Sequence, residues 1–233
     1  MKLEKEIVTL YHGSERIIEA PQFGVGKTGN DYGLGFYCTE SEELAKEWSV
    51  RPGKDGFANR YALDTRGLNI LNLNSPEYTV LNWIAVLVCH RQFRIKAPIA
   101  HDAVRYLRSR FYVPVESYDV VTGYRADDSY FDIAESFLNN TITVEELSEA
   151  LLLGKLGEQV VLKSEEAFNR LTFQGYSEAS GLVYSPKRLA RDKDAETRFA
   201  SILEKRTYTG LYMNTILAEK IGNDDARLPR NIA

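Results

Sequence analysis

Three histidines are the chain's only side chains with an ordinary pKa near neutrality, and His12 differs from the other two in its neighbours. It follows the β-branched and aromatic run Ile7-Val8-Thr9-Leu10-Tyr11 and precedes Gly13. That puts it at a strand end beside a residue with no Cβ, where backbone N–H and C=O can approach a planar ligand closely. His90, in Cys89-His90-Arg91-Gln92, suits a surface or C-terminal position on an apolar helix, and His101, after Pro98-Ile99-Ala100, opens the next helix. Tyr37 and Trp48 lie eleven residues apart across a strand, a cap and a helix, so the helix can fold back and turn two rings towards one ligand. Plain core packing accounts for such a pair more often than not. The Gly26-Lys27-Thr28 triplet invites comparison with a phosphate-binding loop, but the glycine that the motif requires is replaced by Pro21. No apolar strand precedes it, and Gly29 and Gly33 would break a following helix, which leaves a glycine-rich surface loop. There is no Gly-x-Ser-x-Gly elbow to support a serine nucleophile. Asp127-Asp128 reads as a metal pair or as the acidic start of a helix, and capping explains it more simply.

The elements that must position these residues follow from periodicity. Strands are expected over 7–11, ending at His12-Gly13-Ser14, and over 35–39, after which Thr39 or Ser41 caps a helix over 42–50. Two short strands, 60–63 and 68–71, flank the turn Asp64-Thr65-Arg66-Gly67. From Pro76 the apolar spacing becomes helical, with helices over 77–93, 101–111, 127–139 and 144–153, and a strand over 118–123 among them. A strand over 159–162 leads into a short helix at Ser164. A last strand is expected over 181–184, a long helix over 194–221 and a loosely ordered tail over 223–233. No linker or repeat divides the chain, so the expectation is one α+β domain over 1–233 with a helical insertion at about 76–153.

With 44% hydrophobic and 27% charged residues, the 233-residue chain has the composition of a globular protein able to bury a core. Its formal charge of -4 gives no reason for standing attachment to nucleic acid or anionic membrane, and leaves open a nucleic acid met briefly as substrate. Lys187, Arg188, Arg191 and Lys193 form one local basic cluster that could meet phosphates, although such clusters are more often solvated surface. Cys38 and Cys89 have no metal-site spacing and lie in apolar runs, where buried reduced thiols are expected, in keeping with a cytoplasmic protein. The N-terminus does not read as a signal peptide, and the most apolar window, 79–89, is too short to span a bilayer.

Three segments in order carry a family resemblance. Leu10-Tyr11-His12-Gly13-Ser14, Asp31-Tyr32-Gly33-Leu34-Gly35-Phe36-Tyr37-Cys38-Thr39 and Glu43-Leu44-Ala45-Lys46-Glu47-Trp48 resemble the NAD-binding core of ADP-ribosyltransferases of the His-Tyr-Glu class, which includes poly(ADP-ribose) polymerases and diphtheria toxin. The segment order is also similar to a bacterial family of uncharacterised ADP-ribosyltransferase-like proteins. The motifs shared with it are Gly123-Tyr124-Arg125-Ala126-Asp127-Asp128 and the Gln-led Gln159-Val160-Val161-Leu162-Lys163-Ser164-Glu165. The resemblance implies a split β-sheet core with a helical insertion, NAD as co-substrate and no metal. It implies that His12 hydrogen-bonds the nicotinamide ribose, that the Gly13 backbone pairs with the carboxamide, and that Tyr37 stacks on the nicotinamide ring. Trp48 stands at the offset of the polymerases' second aromatic residue and would complete a sandwich. Ser14 and residues 30–32 would contact the rest of the dinucleotide. The catalytic glutamate of the class has two candidate positions. Matching Gly157-Glu158-Gln159-Val160-Val161 to the polymerase strand start selects Glu158, whereas matching by the turn at Ser164 selects Gln159. Adjacent strand residues face opposite sides of a sheet, so one of the two points into the pocket, and Gln159 is the preferred choice.

A glutamine supplies a hydrogen bond but no full charge, which favours transfer of a single ADP-ribose over chain elongation. The implied function is mono-ADP-ribosylation of a cytoplasmic protein or nucleic acid, as by a bacterial toxin or phage-defence effector. An antitoxin or regulatory protein is the implied partner, with no membrane involved. Two other classes stay open: a catalytically inactive NAD- or ADP-ribose-binding module, and a helical protein-interaction domain in which His12, Tyr37 and Trp48 are only core.

Overall fold

The computed structural model describes residues 5–95, 97–126, 128–153, 157–206 and 208–231. In chain order they form β1 (Ile7–Ser14), β2 (Phe36–Cys38), α1 (Glu42–Ser49), β3 (Gly56–Asp64), β4 (Ile70–Asn72), α2 (Val80–His90), α3 (Pro98–Arg110), β5 (Val120–Tyr124), α4 (Asp128–Leu138) and α5 (Val144–Leu153). These are followed by β6 (Glu158–Leu162), α6 (Glu165–Asn169), β7 (Leu171–Ala179), α7 (Gly181–Lys205) and α8 (Met213–Ala218). The chain is therefore mixed α+β.

The strands form two sheets. One has the order β1-β3-β7, antiparallel throughout, and the other the order β2-β6-β5-β4, in which only the β4–β5 pair is parallel. The sheets meet at one bridge, where Tyr11 and Thr39 exchange backbone hydrogen bonds of 2.8 and 2.9 Å. Beyond that bridge, β1 and β2 separate. The split so formed is where the functional candidates gather.

Helix α1 starts at Ser41, whose hydroxyl accepts the Leu44 N–H, and Glu42 and Glu43 complement the helix dipole in its first turn. Helix α2 is apolar on every side, which suits burial rather than a surface. Its residues form the centre of the larger core with α3, α4 and α5, while a smaller core of Val8, Leu10, Phe36, Cys38, Tyr61 and Val160 lies between the two sheets.

Several expectations need correction. Residues 181–184 are the first turn of α7, not a strand. The β-branched and aromatic side chains suggested extension, but Asp55 Oδ1 accepts the Gly181 N–H at 2.7 Å and the Ser180 carbonyl accepts from Val183 and Tyr184. Pro186 lies inside α7 and removes the N–H that would pair with the carbonyl of Leu182, a residue 82% exposed. The expected helix over 194–221 is two helices, broken where Tyr208 and Gly210 adopt φ of 57° and 118°. Strand β7 was not anticipated. The tail is anchored rather than loose: Asn231 donates to the Leu73 carbonyl at 2.6 Å, Arg230 bridges Thr79, and Leu228 is buried. Cys38 is buried as expected, but Cys89 is exposed on the outer side of α2. In the basic cluster, Lys187 and Arg191 are paired with Glu43 and Glu47 of α1. Among the described residues no helix is long and apolar enough to cross a membrane.

Candidate functional site

A cleft of about 500 Å³ opens where β1 and β2 part, within the range of small-molecule sites. His12, Tyr37, Trp48 and Gln159 line it together with Asp31 and Arg125. Gly13 and Ser14 line an adjoining hollow that shares Trp48 with the cleft. Glu158 lines neither, because its side chain accepts from Asn74 Nδ2 at 2.6 Å. Alternation along β6 separates the two neighbours, and Gln159, 3% exposed, is the one on the cleft.

His12 is held by two contacts. Its ring stacks on Phe36 with centroids 4.3 Å apart, and Nδ1 lies 2.7 Å from the Tyr37 carbonyl oxygen. A carbonyl only accepts, so Nδ1 carries the proton and Nε2 of the neutral ring is left as an acceptor. Burial lowers the His12 pKa below its ordinary value, against the opposing effect of the Tyr37 hydrogen bond, which keeps the ring neutral.

Gly13 follows from strand geometry. Tyr11 directs its N–H and C=O at Thr39, away from β3, and the residue two positions on directs its own groups to the same edge. Gly13 thus presents a donor and an acceptor to the split. A Cβ there would lie 2.2 Å from the Ala45 carbonyl oxygen, so the absent side chain is also what lets α1, carrying Trp48, lie against β1.

Tyr37 is clamped by the loop before it. Its hydroxyl donates to the Gly33 carbonyl at 2.6 Å and accepts the Tyr32 N–H at 3.1 Å. Burial raises its pKa far above the ordinary tyrosine value, so it stays protonated. Trp48 faces the cleft with the Arg125 guanidinium 4.7 Å from its ring centroid, a cation–π distance.

Asp31 is the feature that sequence reasoning underrated, giving it only a secondary contact role. Its carboxylate is 5% exposed and gathers three donors: Gln159 Nε2 at 2.8 Å, the Ala126 N–H at 2.9 Å and Arg91 at 2.9 Å. Burial raises its pKa, opposed in turn by Gln159, Ala126 and the charges of Arg91 and Arg125. A clue was present in Gly123-Tyr124-Arg125-Ala126. A Cβ on Gly123 would lie 2.2 Å from the Tyr32 hydroxyl, and only its absence lets Tyr32 cross β5 and donate to the Tyr124 carbonyl at 2.7 Å. Asp127 lies outside the described residues, as does the Asp128 side chain. Among the described residues no cluster of three or more His, Cys, Asp or Glu could hold a metal ion.

Residues 8–173 match the model of a family described as "Protein of unknown function (DUF3990)", and the chain belongs to that family. The matched span runs from β1 into β7 and includes every residue of the cleft named above. No curated protein matches the chain. No solved structure matches it either.

Proposed function

We propose that this DUF3990 member is an NAD-dependent mono-ADP-ribosyltransferase acting on a cytoplasmic protein or nucleic acid, as a bacterial toxin or phage-defence effector would, under the control of an antitoxin or regulatory protein. The observation that carries the reading is the convergence of His12, Tyr37, Trp48 and Gln159, from four separate segments, on one cleft beside the open backbone edge at Gly13. These groups fit a flat carboxamide-bearing ring on a ribose. Gly13 offers the donor and acceptor for the amide, and Tyr37 and Trp48 offer aromatic faces. His12 Nε2 is an acceptor for a ribose hydroxyl, and the cations Lys27, Arg91 and Arg125 bring positive charge to the rim for a diphosphate. NAD supplies a C1′–N bond whose electron pair departs with neutral nicotinamide while the acceptor's nucleophile bonds to C1′ and loses its proton to solvent. The chain's part is to hold ring and ribose in register, and to set acceptor character where positive charge develops. Transfer of a single ADP-ribose is favoured over elongation because Gln159, not a glutamate, stands on the cleft.

That same glutamine favours a second reading, a binding module for NAD or ADP-ribose without turnover. Adenylate-labelled NAD, incubated with pure protein and separately with cell protein, RNA and DNA, distinguishes the two. Label transfer or nicotinamide release that disappears in His12→Ala supports the transferase. NAD binding with neither supports the module, and no NAD binding overturns both.

A further inference from the structure

The cleft lacks a glutamate at the end of β6 but not a carboxylate. Asp31 sits directly behind Gln159, and the two make one unit. Both amide hydrogens of Gln159 are used, on Asp31 Oδ2 at 2.8 Å and on the Tyr124 carbonyl at 3.2 Å. Its Oε1 has no donor among the described residues and is not sealed from solvent, so the amide turns its acceptor to the cleft. A carboxylate bonded to the nitrogen end of an amide draws its dipole into line and makes the oxygen a stronger acceptor.

We propose that Asp31 is a positioning residue that supplies the site's negative charge through Gln159, so that an aspartate on the loop and a glutamine on β6 together do what one glutamate would do. The inference rests on the transferase reading. Three features favour it over a purely structural ion pair. Arg91 neutralises Asp31 from one side only, through Oδ1, while Oδ2 serves Gln159 and Ala126. Asp31 itself lines the cleft. The loop that carries it also holds the Tyr37 hydroxyl, through Tyr32 and Gly33, so the charge and the ring platform move together. The charged and titratable groups around Asp31 are Arg91 at the end of α2, Arg125 after β5, Tyr32 on its own loop and Tyr37 on β2. The two tyrosines stay protonated.

The test compares nicotinamide release and NAD affinity in wild type, Asp31→Asn, Gln159→Glu and the double variant Asp31→Asn/Gln159→Glu, with thermal melting as a check on folding. Asp31→Asn is expected to lower kcat by at least about tenfold with KM nearly unchanged, the signature of a group that acts on the transition state. The double variant, which moves the carboxylate forward onto β6, is expected to recover most of the lost kcat. Wild-type kcat in Asp31→Asn, or a loss that the double variant does not repair, overturns the inference and leaves the transferase intact. A wild-type protein that neither releases nicotinamide nor transfers label removes the transferase reading and this inference with it. Should Asp31→Asn fail to fold, the wild-type pH profile decides the matter. An acid-side fall in kcat whose midpoint follows the titration of the Asp31 carboxyl carbon read by 13C NMR supports the role of Asp31, and a fall that follows the His12 ring instead, or a flat acid limb, overturns it.

Discussion

The cleft at the β1–β2 split and the hollow between α5 and α7 are both lined by charged side chains, yet they are built in opposite ways. In the hollow, about 290 Å³, two of the charges are satisfied locally: Arg198 pairs with Asp194 one turn away on the same helix, and Glu146 caps its own helix at the Thr143 N–H. In the cleft, the polar groups are satisfied across the fold. His12 reaches Tyr37, Tyr32 reaches Tyr124, and Asp31 gathers Arg91, Ala126 and Gln159. Local pairs tidy a helix and can be lost cheaply. A buried network between distant segments holds geometry only when every member is in place, which is the property a catalytic or binding site requires.

The contrast can be broken most severely at Tyr37. Tyr37→Ala removes the ring and empties the clamp formed by Gly33 and Tyr32, and on the proposed transferase reading nicotinamide release should fall by about a hundredfold or more. Next comes Gly13→Val, whose Cβ would collide with the Ala45 carbonyl. Overpacking of this kind costs about 1–3 kcal/mol in urea unfolding, and weaker NAD binding should accompany it as α1 and Trp48 are pushed outward. A smaller effect is expected from His12. Its pKa is lowered in the fold, so the unfolded chain binds more protons as pH drops below about 6.5. Stability from this group is fully present above that value and is lost as pH falls through it, so His12→Asn should flatten the pH dependence of the unfolding midpoint over that window. The smallest effect belongs to the hollow, where Arg198→Ala should change stability by no more than about 0.5 kcal/mol and leave nicotinamide release unaltered. A large loss there would erase the distinction between the two regions.

Residues with local signatures were the legible ones. His12 before Gly13, Tyr37 after the glycine loop and Trp48 eleven residues on stand out by type and spacing, and of the two positions that motif matching left open, Glu158 and Gln159, it is Gln159 that lines the cleft. Asp31 could not be ranked so, because what buries it arrives from Arg91, Ala126 and Gln159, far along the chain. Strand β7 was hidden for a related reason. Its Leu171-Thr172-Phe173-Gln174 alternation is plain, but Gly175, with a φ of 114° beside a register shift, interrupts it just where a run would have been recognised. Helix α7 differs from the sequence expectation at both ends, beginning at Gly181 although Pro186 lies within it, and ending before Gly210 because helical periodicity alone does not register a break. The tail's attachment depends on Leu73, Tyr78 and Thr79, which local composition cannot anticipate.

The Tyr124 carbonyl oxygen receives the Tyr32 hydroxyl at 2.7 Å, the Trp83 indole N–H at 3.1 Å and the Gln159 amide at 3.2 Å. Three donors converge on an atom with two lone pairs. Such a bond should vibrate at unusually low frequency, and isotopic labelling of this one carbonyl would place a reporter band apart from the rest of the amide absorption. Any molecule in the cleft that draws the Gln159 amide towards itself would relieve the crowding and move the band upward, so the backbone of β5 would register occupancy without a dye, a label on the ligand or turnover.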